Sequence, residues 1–368
     1  MHPIGVDPCY ARCMSNDAPP LDITLILRDL IAGHPLGEKE AETVFLALLS
    51  GNFDEAQIGG LLSLIQTMPP NAATLTGAAR AMRANVERVP YSLQPKEALL
   101  DTCGTGGAPK SFNVSTAAAI VAASVTPPSE SGITRIVVAK HGNRSRTGRG
   151  SAEVLKTLGV HVDATPQQQA ICLQEAGVCF CFAIHHHPAM KHAIGPRRSL
   201  GFPTIFNALG PLTNPAGADR QLIGVYDNAL VEPMAQTLAN LGATRAMVVH
   251  SKDGLDELST TAPTRIMHVR DGCLSEESID AVDLGLERVS LDQLQASSVE
   301  HSAEIIRDIF AGNPSPYRDM VTLSAGAALV VAGACESIKQ GITLAQDALD
   351  TGTTNATLDR LIEVSRRG

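Results

Sequence analysis

Two short apolar runs, Ala98-Leu99-Leu100 and Arg135-Ile-Val-Val-Ala139, each end in a cluster of small and polar residues. The first opens into Asp101-Thr-Cys-Gly-Thr-Gly-Gly107, with Asn113-Val-Ser-Thr116 shortly after. The second opens into Lys140-His-Gly-Asn-Arg-Ser145. Helical patterns follow each, over Ser115–Val125 and Ala152–Leu158, and further strand-like runs stand at Val178–Ala183 and Ala246–Val249. Strands alternating with helices imply a largely parallel sheet covered on both faces, because parallel neighbours need long crossover connections. In such sheets ligands bind beyond the carboxyl ends of the strands. Gly104–Gly107, Lys140–Ser145 and His250–Glu257 each lie just after a predicted strand, so all three are expected to share one site.

The rest of the chain frames that sheet. Leu21 to Val89 carries four apolar helix faces, broken at Gly33, Gly51 and Pro69-Pro70, and reads as a small all-helical domain. Pro90 marks a change of grammar, and the expected class is α/β: that helical domain plus a large α/β domain with a mostly parallel central sheet. The expected division is a loose tail over residues 1–20, a helical domain over 21–90 joined by a segment near 185–211, and an α/β domain over 91–184 and 212–368. Segment 184–217 breaks the alternation, is rich in His, Pro and Arg, and is long enough to be functional. Beyond Asp283 helical patterns return over Ala303–Phe310, Thr322–Ala334 and Leu344–Leu349.

Charge narrows the function. Lys and Arg number 29 against 38 Asp and Glu, a net charge of −9, which argues against a nucleic-acid partner. With 3% aromatics and no Trp, a stacking platform for single strands is absent. Yet Arg135, Lys140, Arg144, Arg146 and Arg149 stand without an acidic residue between Ser131 and Ala152. A basic island in an acidic chain suits a compact anion; a solvated basic loop is the plainer alternative. The eight cysteines form no zinc-type pair, and no 18-residue apolar run or signal peptide is present, so a cytoplasmic protein without a membrane partner is expected. Met14 is a candidate start.

Each cluster has a chemistry. Gly104, Thr105, Gly106 and Gly107 let backbone N–H groups approach an anion. Ser115-Thr116 would cap the following helix, whose N-terminus favours phosphate. Asp256-Glu257 are hard oxygen donors for Mg²⁺, or else a solvated acidic turn. Arg197 or Arg198 can pair with a carboxylate. His185-His186-His187 invites a metal reading, but consecutive side chains do not face one way on a helix or a strand; one of them is better placed as a pocket wall.

Taken in order, Gly104–Gly107, Asn113–Thr116, Lys140–Ser145, Gly150-Ser-Ala-Glu153, Phe206-Asn-Ala-Leu-Gly-Pro-Leu-Thr-Asn-Pro215 and Gly254-Leu-Asp-Glu257 resemble the anthranilate phosphoribosyltransferases. The likeness runs from about Leu21 to the C-terminus. It implies an active site in the cleft between a helical and an α/β domain, a homodimer built through the helical domains, and transfer of phosphoribose from 5-phosphoribosyl-1-pyrophosphate to anthranilate in tryptophan biosynthesis. By that resemblance Gly104, Thr105, Gly106, Gly107, Asn113, Ser115, Thr116, Lys140 and Arg144 hold the phosphoribosyl pyrophosphate. Ser115, Asp256 and Glu257 would carry two Mg²⁺ ions; with Lys140 they are the expected catalytic groups. Gly104, His141, Asn143, Ala183, His187, Arg197 and Gly210 would bind anthranilate or line its route. The chain departs from the family pattern at Ala108-Pro109, where an Asp usually follows the glycines, at Glu153 in place of Asp, in a shorter loop after Arg144, and in a longer connection between Val125 and Ile136. A pyrimidine nucleoside phosphorylase, a non-enzymatic nucleic-acid-binding relative of the same fold, and a phosphoribosyltransferase for another aromatic amine are the alternatives.

Overall fold

The computed structural model describes residues 21–109, 111–144 and 148–367. The expected tail over 1–20, with Met14, and Ser145 and Arg146 of the basic cluster lie outside the described residues. The helical unit is α1 (Ile23–Ile31), α2 (Glu38–Leu49), α3 (Glu55–Gln66) and α4 (Ala72–Ala84). Local chemistry starts these helices. Asp22 accepts from the Thr24 amide at 2.9 Å, Asp54 from Gln57 at 2.8 Å, and Asn71 from Ala73 at 2.8 Å, each satisfying a donor that the first helical turn leaves open.

The larger unit opens with β1 (Glu97–Gly104), α5 (Val114–Ser124), β2 (Arg135–Gly142), α6 (Ser151–Leu158), α7 (Pro166–Ala176) and β3 (Val178–Phe182). Three short helices follow, α8 (Ala183–His186), α9 (Lys191–Leu200) and α10 (Ile205–Leu209). The sheet resumes with β4 (Arg220–Gly224), α11 (Val231–Asn240), β5 (Arg245–Ser251), β6 (Thr264–Arg270) and β7 (Cys273–Ile279), before α12 (Val299–Phe310), α13 (Pro316–Ala332), α14 (Ile338–Asp350) and α15 (Thr353–Ser365). Strand order is β3-β2-β1-β4-β5-β6-β7. The first five are parallel, and β6 and β7 add an antiparallel edge.

Alternation along the strands feeds two apolar clusters. Leu222, Met247 and Val249 join α5 and α13 on one face, while Ile223, Ala246 and Val248 join the helical unit, α10 and α11 on the other. The helical unit therefore shares its core with the back of the sheet. Each buried Leu, Ile or Val contributes roughly 1.5–3 kcal/mol, so this shared cluster fixes the cleft between them.

Several expectations need correction. Strand β2 runs through Gly142, so Lys140 and His141 lie in the strand and not after it; likewise His250 and Ser251 end β5. The strand expected to reach Ala183 stops at Phe182. Segment 184–217 is not a bare connection: α9 packs on α2 and α3, and α10 on α3 and α4. Proline at 196 does not stop α9. Helices α7, α11 and α15 and the β6–β7 hairpin add elements that sequence periodicity alone left unassigned.

Candidate active site at the sheet's switch point

Chain order along the sheet reverses between β1 and β4, and there the loops that follow them meet. The Thr105 amide donates to the Gly224 carbonyl at 2.9 Å, and the Asn207 side chain of α10 donates to the Thr105 carbonyl at 3.5 Å. Gly106 and Gly107 take φ of +65° and +99°, a region that side-chain-bearing residues resist. The glycine-rich turn is thus held open at the head of the cleft.

Lys140 is nearly fully buried. Its Nζ donates to the Thr102 carbonyl at 2.6 Å and to Ser115 Oγ at 3.2 Å. Burial pushes its pKa down, opposed chiefly by the carboxylate of Asp101. The Ser115 amide in turn donates to Glu257 Oε1 at 3.3 Å. Burial, then the neighbouring Asp256, pushes the Glu257 carboxyl up to about 8. Asp256 is seated on two glycines. A Cβ on Gly104 would stand 2.7 Å from Asp256 Oδ2, and one on Gly224 would stand 1.6 Å from the Asp256 carbonyl oxygen. The acidic pair is therefore built into the strand ends and is not a solvated turn.

Ser115 and Thr116 do not cap α5. Its N-cap is Asn113, and neither side chain makes a capping bond. Thr116 is buried and donates to Ser151 Oγ of α6 at 3.0 Å. Asn113 is gripped by α12, where the Ser302 hydroxyl donates to Asn113 Oδ1 at 2.9 Å. Glu153, the departure in that segment, accepts from the Gly150 amide at 3.0 Å and so starts α6.

A second group of predicted residues lies at the end of β2 and along α8 and α9. His141 Nδ1 lies 3.1 Å from the Gly210 carbonyl, and its Nε2 lies 3.3 Å from His187 Nε2. A carbonyl only accepts, so His141 carries its proton on Nδ1 and accepts at Nε2 from the His187 N–H. This relay requires His141 neutral, since a protonated ring has no acceptor at Nε2. Burial, then the neighbouring imidazoles, holds His141 well below the usual histidine range, and burial pulls His187 down to about 4. The other two histidines of the run point elsewhere: His185 to Asp163 Oδ1 at 3.0 Å, His186 to the Glu87 carbonyl at 2.6 Å. Ala183 opens α8. Asn143 is exposed, its Oδ1 accepting from the Arg144 amide at 2.8 Å, and the Arg144 guanidinium stacks 5.4 Å from the centroid of Phe182. Arg197, on α9, lies 5.3 Å from the Phe206 ring centroid. Burial lowers its pKa, and no acidic side chain pairs with it among the described residues. Arg198 is exposed.

The His187 shift has a measurable sign. An imidazole held near 4 when folded and near 6.5 when unfolded stabilises the fold fully above pH 6.5. That contribution, up to about 3 kcal/mol, is lost as pH falls toward 4. Urea unfolding of the chain and of His187→Asn from pH 7.5 to 4.5 should show their difference in stability shrinking as pH falls. A difference independent of pH would contradict a His187 imidazole held neutral by burial.

Sequence reasoning missed residues that support the site: Asn207, Gly224, and Asp101 within β1. Asp101 is fully buried and accepts from the His141 amide at 3.0 Å and Gln221 Nε2 at 3.5 Å. A charged residue directly after the apolar Ala98-Leu99-Leu100 run was the one signal available for it.

The family comparisons agree with this geometry. The glycosyl transferase family's a/b domain model matches residues 96–355, and its helical bundle domain model matches residues 24–86; fold and site thus define a two-domain glycosyl transferase. Anthranilate phosphoribosyltransferase from Rubrobacter xylanophilus is 44% identical over 344 residues, covering 93% of this chain and 97% of that one. Its counterpart from Methylobacterium nodulans is 44% identical, covering 92% and 97%. The crystal structure of the Thermus thermophilus anthranilate phosphoribosyltransferase superposes with a TM-score of 0.84 at 37% identity, covering 94% of this chain and all of that one. The Saccharomyces cerevisiae enzyme, solved with phosphoribosyl pyrophosphate and Mg, shares the fold at a TM-score of 0.82 and 24% identity, covering 93% and 97%. The chain belongs to the anthranilate phosphoribosyltransferase family.

Proposed function

We propose that this chain transfers phosphoribose from 5-phosphoribosyl-1-pyrophosphate to the amine of anthranilate, giving N-(5-phosphoribosyl)anthranilate and pyrophosphate, in L-tryptophan biosynthesis. The observation that carries the reading is Ser115, which ties the buried cation of Lys140 to the carboxylate of Glu257 within one hydrogen bond each. A group that binds a pyrophosphate and a group that binds its counter-ion must sit this close.

Breaking the C1–O bond of the ribose develops positive charge on the sugar and negative charge on the departing pyrophosphate. Lys140, buried and pre-oriented, stabilises the growing negative charge where water cannot screen it. Gly106 and Gly107 offer backbone donors, Gly104 and Thr105 shape the turn that presents them, and Asn113, Ser115, Thr116 and Arg144 complete the binding of the phosphates and sugar. Two crowded carboxylates, one with a raised pKa, fit a divalent cation. No group of three or more His, Cys, Asp or Glu stands ready to hold a metal among the described residues, which suits Mg²⁺ shared with substrate phosphates. Ser115, Asp256 and Glu257 would hold two Mg²⁺, which supply charge neutralisation of the leaving group. Anthranilate's aromatic amine is neutral at pH 7 and needs placement more than activation. Arg197, with no acidic partner among the described residues, takes the carboxylate; Asn143, His141, Ala183, His187 and Gly210 shape the approach.

We assign the helical domain to residues 21–90 joined by 185–211, and a homodimer built through it. The strong exposure of Leu25 and Ile31 on α1, 54% and 71%, supports that surface. Cys103, Cys172, Cys179 and Cys181 are buried free thiols, which supports a reducing cytoplasm.

Loss of anthranilate fluorescence on adding phosphoribosyl pyrophosphate and Mg²⁺ tests the reaction. Turnover that requires all three supports it; binding of phosphoribosyl pyrophosphate without turnover of anthranilate points to another amine acceptor. The loop departure gives a separate result. Pro109 lies against Gly254 at the base of the acidic loop, and Ala108 removes a carboxylate beside the substrate. Ala108→Asp should lower the KM for phosphoribosyl pyrophosphate about twofold to tenfold; an unchanged or raised value counts against a role for that position.

A further inference from the structure

The glycine-rich loop rests on a side chain that the residues assigned to phosphoribosyl pyrophosphate do not include. Tyr226 follows β4 by two positions. Its amide donates to Thr105 Oγ1 at 3.1 Å. Its ring lies under the loop: a Cβ on Gly107 would stand 3.5 Å from Tyr226 Cγ. Tyr226 also edges a cavity of about 160 Å³ between the two units, lined by Gln66, Met68, Asn71, Thr204 and Asp227 among others, Gln66 being the last residue of α3 in the helical unit.

We propose that Tyr226 is a positioning residue that holds the Gly104–Gly107 turn in its phosphoribosyl-pyrophosphate-binding shape. The proposal rests on the assignment of that turn to phosphoribosyl pyrophosphate. Its physical basis is that two consecutive glycines at positive φ have no side chains to anchor them, so a flat ring beneath them removes alternative backbone states that binding would otherwise have to freeze.

The experiment measures phosphoribosyl pyrophosphate affinity by calorimetry with Mg²⁺, beside both KM values, kcat and thermal unfolding. The proteins are the full chain, Tyr226→Ala, Tyr226→Leu and Tyr226→Phe. Tyr226→Ala should weaken phosphoribosyl pyrophosphate binding about tenfold or more while the KM for anthranilate moves less than about threefold. Tyr226→Phe, which keeps the ring, should bind within about twofold of the full chain, and Tyr226→Leu, which fills the space without a flat ring, should fall between the two. Equal increases in both KM values, or unchanged binding in Tyr226→Ala, overturn the proposal. If Tyr226→Ala fails to fold, the leucine and phenylalanine variants still decide, and equal binding in those two overturns it. Failure of the unsubstituted chain to bind phosphoribosyl pyrophosphate would instead remove the assignment of the loop itself.

Discussion

Asp256→Asn combined with Glu257→Gln should reduce Mg²⁺-dependent turnover by about 10³-fold or more, while the metal-free protein becomes no less stable. The two expectations have one cause. Burial and the adjacent Asp256 hold the Glu257 carboxyl up at about 8. An acid whose folded pKa exceeds its unfolded value weakens the fold from pH 4.5 upward, increasingly until about pH 8, and contributes nothing below pH 4.5. Neutral amides remove that penalty and the repulsion between neighbours, and with them the hard, charged donors that Mg²⁺ requires. Steady-state rates across a Mg²⁺ titration, beside thermal unfolding in chelator, check both halves. Turnover within tenfold of the original chain, with the same Mg²⁺ dependence, would falsify the assignment of the acidic pair. Because Asp256 is seated on Gly104 and Gly224, amide substitution keeps its shape and leaves the strand ends undisturbed.

Lys140→Met should cost about 10²- to 10³-fold in kcat/KM, the scale of losing one preorganised donor to a developing anion. The effect on stability should be small. A buried ammonium is costly to desolvate, and methionine fills the same channel without a charge. What remains is Asp101, which loses its cation but keeps the His141 amide and Gln221 as donors. Lys140→Arg should not rescue activity, because Nζ reaches both the Thr102 carbonyl and Ser115 through a channel that a planar guanidinium cannot share. Activity of the methionine variant within a few-fold of the original would show that the pyrophosphate is stabilised elsewhere.

The sheet and the two clusters on it were legible because buried strands ending in glycines have a pattern that tertiary context does not erase. The limits of each element were not, since Lys140 and His141 look like loop residues and yet complete β2. Polar residues extend a strand when their side chains find partners at its end, and Thr102, Ser115 and Gly210 supply them. Segment 184–217 hid its helices because a helix with an internal proline, packed through α9 on α2 and α3, owes its existence to those neighbours. The β6–β7 hairpin did carry a readable sign: Asp271-Gly272, both at positive φ, is a turn pair favoured between antiparallel strands. Tyr226 left no sign, because a single supporting residue has no period, while Asn207 stood in the Phe206–Pro215 motif with no role assigned to it.

The histidine run at 185–187 joins three places at once: the Asp163 carboxylate, the Glu87 carbonyl on the linker and the His141 relay. A repeat of one amino acid usually marks chain whose length can drift, since adding or deleting a copy leaves the composition the same. Here identity is repeated but address is not. Slippage by one codon would hand every imidazole its neighbour's destination, so this monotonous stretch is a measured spacer in which copy number decides which imidazole meets which partner.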